Sequence, residues 1–97
     1  MFSDHTVFAT HHVKNVDTQR YYSPDGRLDL VLIDNGYRIN SKWEVKNNKL
    51  CHKIGNQKIK CREVHDNNGI INVITPWGDI GMTFRDFKKG NHISSVN

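Results

Sequence analysis

Ninety-seven residues, 36% hydrophobic and 25% charged, make one small globular domain that buries roughly two-thirds of its unfolded surface. No apolar run approaches the roughly 20 residues of a membrane-spanning helix, and nine aromatics among recurrent Ile, Val and Leu argue against disorder. The net charge of +4 favours anionic partners without demanding one.

Residues 1–13 hold no basic segment followed by an apolar run, so no signal peptide is read there. Thr6 to His12 and Thr18 to Tyr22 read as the first strands. From there turn signals recur about every ten residues: Pro24-Asp25-Gly26, Asp34-Asn35-Gly36, Asn47-Asn48, Gly55-Asn56, Asp66-Asn67-Asn68-Gly69 and Pro76-Trp77-Gly78. That rhythm leaves no room for a long helix.

Period-two alternation carries the middle of the chain. Tyr37, Ile39, Ser41, Trp43 and Val45 share one face, and Arg38, Asn40, Lys42, Glu44 and Lys46 the other. A two-residue type I′ turn at Asn35-Gly36 sets Leu32 against Ile39, Leu30 against Ser41 and Leu28 against Trp43. The opposite face then matches Asp29 with Lys42 and Arg27 with Glu44. Asn47-Asn48 sets Val45 against Leu50 and Trp43 against His52. A type II′ turn at Gly55-Asn56 sets Ile54 against Gln57, His52 against Ile59 and Leu50 against Cys61.

Beyond Cys61 the parity slips, with Glu63 and His65 inward and Val64 outward. A β-bulge near Arg62 would repair it. Strands follow at Ile70 to Thr75 and Ile80 to Phe87, the latter with Ile80, Met82 and Phe84 inward, and a loose polar tail begins at about residue 88. The expectation is an all-β, antiparallel up-and-down meander of seven or eight short strands over 1–97, closed or partly closed into a barrel. A two-layer sandwich is the alternative.

Candidate chemistry is sparse. No phosphate-binding glycine loop, nucleophile elbow or zinc-protease helix motif appears, and the acids mostly sit at turns, so no catalytic residue, metal or cofactor is assigned. Trp43, His52, Tyr37 and Glu63 fall on the inner parity and are the candidate lining of a small ligand pocket. Cys51 and Cys61 form either a disulfide or two thiols. The assumed turn puts Cys51 outside and Cys61 inside, and one bulge or a three-residue loop would bring them opposite. The basic stripe is the sharpest feature. Arg38, Lys42, Lys46, Lys49, Lys53, Lys58, Lys60 and Arg62 face one acid, Glu44. It reads either as a solvated outer face or as a polyanion surface formed by Arg38, Lys42, Lys46, Lys53, Lys58, Lys60 and Arg62. No aromatic shares its parity to stack nucleic-acid bases.

Thr6-Val7, Tyr22-Ser23-Pro24-Asp25-Gly26, Trp43-Glu44-Val45, Leu50-Cys51 and Cys61 together resemble a pattern of small exported bacterial proteins of unknown function with calycin-like β-meanders. Ser41 stands where that pattern has Gly. The resemblance implies a periplasmic or secreted location, with any signal removed, and a cross-hairpin disulfide; it brings no catalytic residues. The reading is therefore a non-catalytic binding or interaction module, a monomer or homodimer, for an unknown small ligand or protein. The alternatives are a polyanion- or nucleic-acid-binding barrel in the cytoplasm and a small enzyme with its site at the barrel mouth.

Overall fold

Turn residues set the strand boundaries throughout. The computed structural model describes residues 2–93. It contains β1 (His5–His11), β2 (Val16–Tyr22), β3 (Arg27–Leu32), β4 (Arg38–Lys46), β5 (Lys49–Ile54), β6 (Lys60–Asn67), β7 (Ile70–Ile74) and β8 (Ile80–Lys89). Each strand pairs antiparallel with its chain neighbours, and β8 pairs with β1, so the meander closes into an eight-stranded barrel with no helix among the described residues. Closure excludes the sandwich and removes every free sheet edge.

The β4–β5 hairpin has the register its sequence predicts: Val45 opposite Leu50 and Trp43 opposite His52. Asn47 and Asn48 both take positive φ, 53° and 63°, as a type I′ turn requires. The β3–β4 hairpin differs. Leu28 lies opposite Ser41 and Leu30 opposite Ile39, two residues from the expected pairing. Only Gly36 takes positive φ there, at 71°, so a type I′ turn cannot form. A four-residue loop over 33–36 replaces it, with Gly36 N donating to Leu32 O (2.8 Å) and Leu32 N to Tyr37 O (2.9 Å). A shift of two preserves the faces, so the apolar residues stay inward. It breaks the expected charge pairs: Asp29 now faces Asn40 and Arg27 faces Lys42.

The β5–β6 hairpin is off by one. Its loop, 55–59, places Cys51 opposite Cys61 and His52 opposite Lys60. A one-residue slip turns the whole of β6 over. Val64 therefore packs against the core, while Glu63 and His65 are exposed, and the expected bulge near Arg62 is not needed. The register irregularities fall instead between Thr6 and Phe8 on the β1–β8 seam and between Val73 and Ile74 against β8.

The core is Phe2, Val7, Ala9, Tyr22, Leu28, Leu50, Ile71, Val73 and Phe84. Phe2 plugs the barrel end where β1 begins, its ring 4.9 Å from Tyr22, 5.2 Å from Phe84 and 5.5 Å from Phe87. Trp43 is half-buried rather than fully buried. It meets Tyr22 edge-on at 5.2 Å, and its Nε1 donates to Ser23 O at 2.9 Å. Ile80, expected inward, is exposed at the start of β8, where the register shifts. The expected loose tail is ordered as far as it is described. Lys88 and Lys89 pair with Thr6 and His5, and His92 N donates to Thr6 Oγ1 at 2.8 Å. Residues 94–97 of that tail lie outside the described residues.

Candidate functional site

The four residues expected to line a ligand pocket do not converge. Trp43 and His52 are directly opposed, as the β4–β5 turn dictates. Tyr37 belongs to the β3–β4 connection and is 63% exposed. Glu63 points to solvent with His65, Oε2 and Nε2 lying 3.6 Å apart, because β6 is turned over.

What lies beside His52 is an interior polar chain built mainly from β2, where alternation sends Thr18, Arg20 and Tyr22 inward. Arg20 is only 4% exposed. Its Nε donates to Thr18 Oγ1 at 3.0 Å, Thr18 donates on to Ala9 O at 3.4 Å, and the guanidinium lies 5.8 Å from the Phe84 ring centre. The Tyr22 hydroxyl and His52 Nε2 share a hydrogen bond at 2.8 Å, and the Arg20 charge acts on both groups. No carboxylate pairs with Arg20 among the described residues. Neutral acceptors solvate its charge, and no buried side-chain nitrogen or oxygen among them lacks a partner.

Burial, reinforced by the Arg20 charge, holds the His52 imidazole down at about 3, and burial pushes Tyr22 up to about 12. His11, at the far end of the barrel interior, is lowered by burial and then by Arg20. A histidine that stays neutral and a tyrosine that keeps its proton exchange none near neutral pH. Both values suit a structural role for the cluster. Period-two reading of Thr18, Arg20 and Tyr22 carried the signal for Arg20, on a strand whose inward face the sequence reading left unassigned.

The basic stripe divides. Lys42 faces Lys53 and Lys46 faces Lys49 across β4–β5, on the outer face with Glu44, and Arg38 opens β4 on the same parity opposite Val31. Lys58 lies in the β5–β6 loop. Lys60 and Arg62 move to the inward parity with β6; Lys60 stays exposed near the strand start, while Arg62 is half-buried and donates to Cys61 O at 3.1 Å. The seven residues of the expected polyanion face therefore do not share one surface.

The observed register assembles a different set. Arg27, Lys42 and Lys53 form one row across β3, β4 and β5. They line an open groove of about 390 Å³ with Asp29, Asn40, Ser41 and Gly55. Arg27 is steadied by Asp25 (Nε–Oδ2 3.1 Å), whose carboxyl is held down at about 2 by the Ser23 hydroxyl first and by Arg27 second. Lys42 and Lys53 make no ion pair among the described residues. Sequence reading missed Arg27 because the assumed two-residue turn set it against Glu44.

Cys51 and Cys61 are bonded across the β5–β6 pair, and Cys51 is fully buried. No group of three or more His, Cys, Asp or Glu among the described residues is arranged to hold a metal ion. No protein-family model matches the chain, and neither a curated protein nor a solved structure matches it.

Proposed function

We propose that the protein is a non-catalytic binding module that holds an anionic partner on the outside of its barrel, in the groove lined by Arg27, Lys42 and Lys53. The cationic row carries this reading. Like charges directly opposed on neighbouring strands destabilise a sheet, and here three cations stand in line about 4.8 Å apart from strand to strand. That spacing suits successive phosphate, sulfate or carboxylate groups. The outer face of β4 and β5 offers Arg38, Asn40, Lys42, Glu44 and Lys46 beside Lys49 and Lys53, with no aromatic to stack a base. Charged groups rather than nucleobases are the class recognised. The Cys51–Cys61 bond and the resemblance to exported meanders support an oxidising, extracytoplasmic location.

Retention on heparin tests the reading. The parent should elute well above low salt, and Lys42→Glu with Lys53→Glu should abolish retention while the circular dichroism spectrum stays the same. A parent that flows through at low salt, or a double reversal that elutes with the parent, would overturn the assignment.

A further inference from the structure

In an antiparallel meander alternate connections lie at the same end of the barrel. Connections 12–15, 33–37, 55–59 and 75–79 all lie at one end, opposite the end plugged by Phe2. Eight large hydrophobic side chains are exposed among the described residues. Six of them stand at this one end: Val13, Ile33, Tyr37, Ile59, Trp77 and Ile80. Val13 is 74% and Trp77 85% exposed. Each of the four connections contributes at least one. Behind them the inward residues Leu32, Ile39 and Ile54 are only half-buried, so the apolar surface continues into the mouth.

We propose that this end of the barrel docks on a lipid bilayer, inserting the four loop tips into its interface. The inference does not rest on the cationic groove, which lies on the barrel wall. Four hairpin connections spaced around a barrel make a ring of insertion points, which suits a flat interface better than a groove suited to a peptide. Trp and Tyr among aliphatic residues are the composition that settles at headgroup depth. Lys14 and Lys58 on the loops, with Arg38 and Lys60 at the adjoining strand starts, outnumber the loop acids Asp34 and Asp79. The surplus of two positive charges complements anionic headgroups. The lysines on the wall, Lys42, Lys46 and Lys53, keep the strands out of the hydrocarbon, so contact is peripheral.

The chain carries two tryptophans, and Trp43 is already packed against the core, so Trp77 is the reporter. Phosphatidylcholine vesicles containing phosphatidylglycerol should shift the parent's emission to shorter wavelength and pull the protein down on sedimentation. Val13→Asp with Ile59→Asp keeps Trp77 and alters only exposed positions. It should lose the shift and sediment at least about tenfold more weakly, since aliphatic burial is removed and charge added. Lys42→Glu with Lys53→Glu, which disables the groove, should still shift at saturating lipid. Unchanged emission and sedimentation with vesicles, anionic or zwitterionic, would overturn the proposal. So would a blue shift that grows with protein concentration in the absence of lipid, because a second copy would then cover the ring.

Discussion

Acid should unfold this barrel through His52. In the unfolded chain its imidazole titrates near 6.5, whereas in the barrel it is held down at about 3 by burial and by Arg20. The folded state therefore binds its proton later than the unfolded state does. Stability is fully present above about pH 6.5 and is lost as pH falls toward 3. At about 1.36 kcal/mol per pH unit the gap between the two values amounts to about 5 kcal/mol, a large share of the ~5–15 kcal/mol that holds a small domain together. Asp25 works in the same direction but between its ordinary 3.8 and about 2, so most of its effect lies below that window. His11 contributes with the same sign from a partly exposed position. The assay is urea unfolding of the parent and of His52→Gln across pH 3.5 to 7. Gln can still accept from the Tyr22 hydroxyl, and it does not titrate. The difference in stability between the two proteins should narrow or reverse by about 1 kcal/mol for each unit of acidification below pH 6. Parallel pH profiles would show that His52 is not the group whose protonation the barrel resists, and the account of the interior cluster would fail.

Removing the disulfide by Cys51→Ser with Cys61→Ser should lower stability by about 2–3 kcal/mol, the loop-closure entropy of a ten-residue separation, read as a lower urea midpoint. Alkylation of the native parent without reductant should label neither cysteine. Gly36→Ala should cost about 1 kcal/mol because φ is 71° there while the space around an added Cβ is open, and Gly36→Asn should cost less; equal midpoints for parent and Gly36→Ala would contradict the four-residue loop.

Most of the architecture was legible from turn chemistry and alternation, because the central strands β3 to β5 carry a period-two pattern and each turn has its own left-handed residue. The β4–β5 hairpin was fixed by Asn47-Asn48, a pair in which both residues accept positive φ at little cost. Asn35-Gly36 looks equivalent on paper. There only Gly36 takes positive φ and the loop closes over four residues, and the local sequence does not distinguish that closure from a two-residue turn. Pairing errors of even size leave burial intact and misassign only partners, as with Arg27. The odd-sized error at 55–59 inverted β6, and with it the pocket role expected of Glu63 and the outward placement of Lys60 and Arg62. The apparent inward carboxylate at Glu63 was the visible symptom, and either a bulge or a longer loop could cure it. The apolar ring escaped notice because its members sit in four separate connections, and only the topology gathers them.

The seam between β1 and β8 has a consequence for synthesis. His5 pairs with Lys89 and His11 with Met82, and beside them Gly90 N donates to Asp4 O at 2.8 Å while Thr6 Oγ1 donates to Gly90 O at 2.7 Å. These partners are separated by nearly the whole length of the meander. While the chain emerges from the ribosome, six hairpin contacts can form in order, each with its neighbour, yet β1 keeps one flank unpaired until residues 80–90 are free. The nascent sheet is thus an open ribbon with a sticky edge for most of its synthesis, and closure waits on the last strand. A premature stop before Ile80 would leave β1 and β7 as two permanent edges able to pair with other truncated chains.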